Sequence, residues 1–145
     1  MAASRKTETI RWFRPAFYDL KAARWNIDGG FYSTACFLAQ QSGEKVLQSL
    51  LYYLGARRKA LLTHSIFEMA TEAGKHVTGL QNLLHEARQL DIHYIPSRYP
   101  NGLPDLTPGQ VYFRRDAELC LESSQRLLAA VAEFMGEADK ANQDL

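Results

Sequence analysis

The sequence predicts an all-α fold, an antiparallel bundle of about five helices, and three observations lead to this prediction. Apolar residues recur at steps of three and four along most of the chain, which is the period of an amphipathic helix. Glycines and capping signatures divide these stretches into helical lengths. No stretch shows the two-residue alternation that is typical of a strand. At 145 residues we expect a single domain, 1–145, with a short polar N-terminal extension and a C-terminal tail after about residue 138.

Two long helices are predicted in the first third of the chain. The first ends at the Gly29–Gly30 pair, and Pro15 is expected in or near its first turn, where a proline does little damage. The second covers about 31–54 and stops at Gly55. Small residues on one face of the second helix would let a partner helix approach closely. The apolar stripe of the first helix consists of Phe13, Phe17, Leu20, Ala23 and Ile27.

Capping signatures predict where the later helices begin. The capping box Ser65–Glu68 opens a short helix that Gly74 closes, and Thr78–Gln81 repeats the same signature ahead of another apolar stripe. The richest signal is Thr107–Gln110, which has threonine at the cap and proline at the first helical position. From there we expect one long final helix that reaches about Ala138.

Composition narrows the possible functions. A formal charge of +1 argues against a strongly basic protein that coats nucleic acid. Cys36 and Cys120 fall inside predicted helices, without a Cys-x-x-Cys motif, so they are interpreted as small buried hydrophobic residues in a reducing compartment and not as a disulfide or zinc framework. No run approaches the roughly 18 apolar residues of a membrane span. We therefore expect a cytoplasmic protein with no metal and no cofactor.

The loop Asp91–Asp105 is unusually rich in functional side chains for a connection between helices. Its arginine Arg98 can donate two parallel hydrogen bonds to phosphate, and the ring of Tyr99 can stack on a base. A structural role is equally open, in which Tyr94 and Tyr99 pack on the flank of the bundle while prolines stiffen the path to the last helix. Loops of this kind often carry function.

Three stretches, in this order and spacing, resemble the HEPN domain, a small all-α domain family: ACFLAQQSGEKVLQSLLYYLG, THSIFEM and LDIHYIPSRYPNGLP. The resemblance covers roughly residues 10–134. The family pattern usually continues Glu-Lys-x-x-Lys, but this chain has Glu44, Lys45 and then Gln48. One expected cation is therefore missing, which weakens the case for phosphate binding on that helix.

The resemblance implies two kinds of activity. Many HEPN proteins bind nucleotide or RNA as partners of a separately encoded minimal nucleotidyltransferase, often as toxin and antitoxin. The segment Tyr-x-Pro-x-Arg-Tyr-Pro is typical of members without an evident nuclease site. The favoured hypothesis is therefore a noncatalytic binding subunit that holds nucleotide or RNA in a cleft. The residues expected at this cleft are Lys45, His64, Arg98 and Tyr99.

Other HEPN proteins are metal-independent ribonucleases with an Arg-x(4–6)-His motif, of which two copies meet across a dimer interface. Arg88 and His93 fit this spacing, and so do Arg57 and Arg58 with His64. Five residues of an ideal helix turn by about 500°, so Arg88 and His93 would lie about 140° apart. They can converge only if the helix ends near Asp91. An imidazole could then move the proton of a ribose hydroxyl while the guanidinium holds the phosphate.

A third hypothesis is a noncatalytic interaction module. The small-residue second helix and the aromatic sequence WFRPAFY exceed what one thin bundle can easily cover, so a two-fold homodimer is predicted. Its helices would serve a nucleotidyltransferase or another chain. Whether the protein is an enzyme stays open at this stage, with the binding subunit preferred.

Overall fold

The computed structural model describes residues 2–56, 63–103 and 105–143. These residues form seven α-helices, one short 3-10 helix at Pro100–Gly102 and no strand, which confirms the predicted all-α helical bundle. The α-helices in chain order are α1 Ala2–Asp28, α2 Tyr32–Tyr53, α3 Ile66–Gly74, α4 Thr78–Gln81, α5 Leu84–Asp91, α6 Pro108–Val111 and α7 Arg114–Gln143.

Helices α1 and α2 pack antiparallel because the chain reverses at Gly30, whose φ of 82° favours glycine. Two buried serines of α2 donate hydrogen bonds to backbone carbonyls of α1, which shows how closely the two helices approach. The Ser49 hydroxyl donates to the Thr9 carbonyl at 2.7 Å, and the Ser42 hydroxyl donates to the Ala16 carbonyl at 2.6 Å. The small residues of α2 that predicted contact with a partner helix therefore serve, at least in part, to pack α1 within one chain.

The predicted position of Pro15 was wrong. Helix α1 already begins at Ala2, so Pro15 lies in its interior, and the polar start of the chain belongs to this helix. At the other end, α7 continues to Gln143, beyond the predicted limit near Ala138. Both differences concern polar segments, where hydrophobic periodicity carries little information about helical structure.

The hydrophobic core lies where α2 meets α1, α3, α5 and α7. Gly43 marks the closest point, since a Cβ there would come within 3.0 Å of the Leu90 Cδ1 atom and 3.3 Å of the Ile66 Cδ1 atom. Buried leucines of α2 and α7 fill the space beside it. The largest of these are Leu47, Leu50, Leu51, Leu127 and Leu128.

The predicted helix start at Ser65 is confirmed, because the Ser65 hydroxyl accepts from the Glu68 N–H at 3.1 Å. The predicted starts at Thr78 and Thr107 need correction. Thr78–Gln81 does not open a longer helix. It forms the single turn α4 with Val77 at the cap position, and α5 begins separately at Leu84. A local capping pattern can therefore mark a helix without indicating its length.

The capping box at Thr107 exists, but the helix that it opens is short. The Gln110 side-chain oxygen accepts from the Thr107 N–H at 2.9 Å, yet α6 ends at Val111. Tyr112 then adopts an extended conformation, and the Phe113 N–H donates to Asp116 at 2.8 Å as α7 begins. The predicted single final helix was wrong at its start, and the break turns the Tyr112 side chain into the core.

Candidate functional site

Asp91 ties the end of α5 to the beginning of α3. Its Oδ1 atom accepts from the Ile66 N–H at 2.8 Å, and its Oδ2 atom accepts from the Phe67 N–H at 2.9 Å and the Ser65 hydroxyl at 3.2 Å. A carboxylate suits this place because the first N–H groups of a helix lack partners within the helix and carry partial positive charge. The loop that follows Asp91 therefore begins from a fixed point.

The loop after Asp91 folds into consecutive turns. The buried Ser97 hydroxyl donates to the His93 carbonyl, and the N–H groups of Arg98 and Tyr99 both donate to the Ile95 carbonyl at 3.0 Å. Pro104, the last of the three loop prolines, lies outside the described residues. These hydrogen bonds within the loop hold the shape of its backbone, and its side chains contact Phe37 of α2 and His64 in the segment before α3.

Three aromatic rings and one carbonyl surround Arg98. Its guanidinium carbon lies 4.6 Å from the ring centre of Phe37, 4.8 Å from that of Tyr94 and 4.9 Å from that of Tyr99. Its Nε atom donates to the Tyr94 carbonyl at 3.1 Å. Aromatic rings attract a cation without cancelling its charge. Among the described residues no carboxylate pairs with Arg98, so the site keeps a positive charge that can attract an anion.

His64, in the segment before α3, is held by a carboxylate of α2. Its Nδ1 atom lies 2.7 Å from the Glu44 Oε1 atom, and the side chains are 71% and 14% exposed, respectively. The imidazole also stacks on Tyr94, with 5.9 Å between ring centres and 16° between planes. Gln40 and Gln41 donate to the other oxygen of Glu44 at 3.2 and 3.3 Å. This set of contacts fixes the direction of an exposed imidazole.

The shared ring of Tyr94 joins His64 to Arg98 on one surface, and Tyr99, 48% exposed, lies beside them. We call these four residues the platform. The platform combines a cation, an orientated imidazole and exposed aromatic faces, which together can contact a phosphate and a base. Three of the four predicted binding residues thus belong to it, and Tyr94 is added by its contacts.

Lys45, the fourth predicted binding residue, has a different environment. Its Nζ atom lies 2.5 Å from the Asp19 Oδ2 atom, and the two side chains are 28% and 11% exposed. This ion pair connects α2 to α1. Although Lys45 follows Glu44 in the sequence, Glu44 contacts His64 of the platform whereas Lys45 contacts α1.

The nuclease hypothesis required a helix end near Asp91, and α5 does end there. However, the two motif side chains have different neighbours. The guanidinium of Arg88 lies 4.2 Å above the ring centre of Phe67, while His93 Nδ1 lies 2.7 Å from the Tyr112 hydroxyl. No hydrogen bond or ring contact joins the Arg88 and His93 side chains within the described part of the chain. Arg57 and Arg58, the alternative partners of His64, lie outside it.

His93 also belongs to a cluster that the sequence did not predict. One ligand atom each of Cys36, His93 and Cys120 lie within 4.8 Å of one another, and both cysteines are buried. A hydrogen bond from Cys36 lowers the pKa of the Cys120 thiol, and His93 lowers it further. The same bond raises the pKa of Cys36, while burial raises the pKa of the Tyr112 hydroxyl. The cluster joins α2, the loop and α7.

The bundle belongs to the class of small all-α domains, and three of its four platform residues lie in the connection between two helices. Comparison with known families gives this class a name, because the model of the HEPN domain matches residues 9–134. The chain therefore belongs to the HEPN domain family. None of the described helices is long and apolar enough to cross a membrane.

Individual relatives agree with this assignment. The chain is 28% identical over 126 residues to "Putative toxin MJ1304" from Methanocaldococcus jannaschii, covering 82% of each protein. The crystal structure of TT1696 from Thermus thermophilus is similar with a TM-score of 0.79 and 33% identity, over 86% of this chain and 96% of that one. ST0689, an archaeal HEPN homologue, gives 0.71 and 34%, over 86% and 95%.

Proposed function

We propose that this protein is a nucleotide- or RNA-binding HEPN subunit that works with a separate nucleotidyltransferase in a toxin–antitoxin-like pair. The platform is the observation that carries the proposal. Arg98 offers a guanidinium that no described carboxylate neutralises, and Tyr99 and His64 offer exposed ring surfaces beside it. The name of the relative "Putative toxin MJ1304" supports the toxin–antitoxin-like role.

The chemistry of the platform favours a phosphate attached to a base over a simple anion. A guanidinium can donate paired hydrogen bonds to phosphate oxygens, while aromatic side chains stack bases with little preference for sequence. Nε of Arg98 already donates to the Tyr94 carbonyl, which leaves the terminal nitrogens for the ligand. The ligand would therefore bind with its phosphate at Arg98 and its base against Tyr99 or His64.

The variant Arg98→Ala tests the proposal, with Arg126→Ala as the matched control because Arg126 is an exposed arginine on α7 that pairs with Glu86 and Glu122. Binding is measured by fluorescence anisotropy with a labelled single-stranded RNA and by thermal shift with a nucleotide panel. We expect Arg98→Ala to weaken binding by about 1–3 kcal/mol, the range for a lost charge-assisted contact, and the control to leave it unchanged.

The opposite pattern would contradict the proposal. A lower melting temperature of Arg98→Ala with unchanged affinity would mean that Arg98 only supports the loop. Wild-type protein that binds neither RNA nor any nucleotide would favour the third hypothesis, the dimeric interaction module.

The proposed assembly is a cytoplasmic homodimer that contacts a nucleotidyltransferase. Large apolar side chains at and just after α1 face solvent in the single chain: Tyr18 is 75% exposed, Trp25 is 79% exposed and Phe31 is 64% exposed. Such a group of aromatic residues is typical of an interface between proteins. Light scattering should give the mass of a dimer at micromolar concentration, and the mass of a monomer would contradict the proposal.

A metal-independent ribonuclease that uses Arg88 and His93 is the second candidate function. The end of α5 at Asp91 favours it, because an unbroken helix would keep the two side chains on different faces. If this candidate is right, the protein cleaves single-stranded RNA in the presence of chelator, and His93→Ala abolishes cleavage. We expect both wild-type and variant protein to be inactive, which would leave the binding subunit preferred.

A further inference from the structure

Cys36, His93 and Cys120 come from three separate parts of the chain and meet inside the protein. Cys36 lies near the start of α2, Cys120 lies in α7, and His93 lies in the loop after α5. Their ligand atoms all lie within 4.8 Å of one another. In a tetrahedral zinc site the bond lengths of about 2.0–2.3 Å place neighbouring ligand atoms about 3.5–3.8 Å apart. Movements of about 1 Å or less would therefore bring the three atoms to bonding distance of one ion.

The chemistry of these side chains fits a thiophilic metal. Thiolate and imidazole ligands select zinc and related ions, whereas magnesium and calcium prefer oxygen. Charge also agrees, because two thiolates neutralise one Zn²⁺ ion, and burial of a net charge would be costly. On binding, each S–H bond is replaced by an S–Zn bond, and the two protons pass to solvent. No oxidation or reduction occurs.

One further contact and the burial of the three side chains favour a built site over an accidental meeting of core residues. The Tyr112 hydroxyl lies 2.7 Å from His93 Nδ1 and so fixes the orientation of the imidazole, as outer partners of metal-bound histidines do. His93 is only half-buried, whereas both cysteines are buried, so an ion can enter from the side of the loop. Three protein ligands leave one tetrahedral position for water.

We propose that Cys36, His93 and Cys120 bind one Zn²⁺ ion, which fastens the loop of the platform to α2 and α7. This inference does not depend on the proposed nucleotide or RNA binding. The metal would be held at the start of the loop, where His93 directly precedes Tyr94 of the platform, and its role would be to hold the loop. Because His93 would then be a metal ligand, it could not act as a free acid or base.

The test uses the full chain, purified under reducing conditions and stripped with chelator. Zn²⁺ is titrated against a chromogenic chelator, and Co²⁺ is titrated while the absorption spectrum is recorded. We expect one equivalent of metal per chain, a thiolate-to-cobalt charge-transfer band, tetrahedral d–d bands and a higher melting temperature with Zn²⁺.

Variants assign the ligands. Cys120→Ser and His93→Ala should each weaken Zn²⁺ binding by at least about tenfold, and Tyr112→Phe should weaken it about tenfold through loss of the contact to His93. His85→Ala is the matched control, since His85 is an exposed histidine of α5, and it should bind Zn²⁺ like the wild type. Circular dichroism establishes that each variant is folded.

Three results would overturn the inference. The first is a cobalt spectrum of the wild type without a thiolate charge-transfer band. The second is unchanged Zn²⁺ affinity in folded Cys120→Ser. The third is reduced protein that binds no metal but forms a Cys36–Cys120 disulfide in air, which would mean a redox pair. If Cys120→Ser does not fold, the cobalt spectrum of the wild type and the Zn²⁺ affinity of Tyr112→Phe still test whether the cluster binds metal.

Discussion

The surface around Lys45 and the loop around Arg98 each hold a cation that the sequence suggested for phosphate binding, but they hold it in opposite ways. Lys45 is paired with a carboxylate at 2.5 Å, whereas Arg98 is surrounded by aromatic rings and one carbonyl. A carboxylate neutralises the charge, and a ring or carbonyl only attracts it. Whether a cationic side chain remains available to a ligand therefore depends on the group that it contacts within the protein.

The largest effect is expected at Asp91, because its carboxylate holds the loop of Arg98 in place. Asp91→Ala leaves two backbone N–H groups and one hydroxyl without their partner. We expect a loss of about 2–3 kcal/mol in the free energy of unfolding, from the missing cap and the unpaired donors. Urea denaturation measures it.

Asp91→Asn is the control for this prediction, since it keeps one acceptor oxygen but loses the charge. Its loss of stability should be intermediate. If Asp91→Ala were as stable as the wild type, this prediction would be wrong, because the loop would then be fixed by other contacts.

A second prediction separates the two cations directly. Lys45→Ala removes the partner of Asp19, whose side chain is only 11% exposed, and should lower the free energy of unfolding by about 1–2 kcal/mol. Affinity for RNA or nucleotide should stay unchanged. Lys75→Ala is the control, because Lys75 forms an exposed pair with Glu72, 62% and 46% exposed, and should cost at most about 0.5 kcal/mol. If Lys45→Ala weakened ligand binding as much as Arg98→Ala does, Lys45 would be as available to the ligand as Arg98, and the contrast between the two cations would be wrong.

The smallest effect concerns the ring that His64 and Arg98 share. Tyr94→Leu removes both ring contacts and should weaken ligand binding by about 0.5–1 kcal/mol, the value of an exposed cation–ring contact. Tyr94→Phe keeps the ring and should bind as the wild type does. Anisotropy with the same labelled RNA tests both variants, and a loss in Tyr94→Phe as large as in Tyr94→Leu would assign the effect to the hydroxyl.

Features encoded by nearby residues were predictable from the sequence. The stripe of α2, its stop at Gly55 with φ of 71°, and the start of α3 at Ser65 each depend on residues within a few positions. The interior position of Pro15 was missed because the polar residues that begin α1 show no apolar period. The break at Tyr112 was missed because burial of the Tyr112 side chain overrode the local helical preference.

Contacts between distant residues could not be predicted. Asp91 caps α3 from 25 positions away, and the Glu44 carboxylate orientates His64 from 20 positions away. For the candidate site, the sequence supplied the residue types of the platform and the loop that carries most of them. It contained no signal that Lys45 would pair with Asp19. It also contained no signal that the two cysteines would meet at His93, since periodicity assigns a residue to the inside without naming its neighbour.

The short reversal between α1 and α2 has a consequence for the order of folding. Two helices joined by about three residues close a small loop at little entropic cost, so they can associate early. The platform, in contrast, needs α2, the segment before α3 and the loop after α5 to be assembled together. We therefore expect the platform to form late in folding, after α1 and α2 have associated. Pulsed hydrogen exchange should protect the amides of α2 before those of residues 92–99, and simultaneous protection would contradict this order.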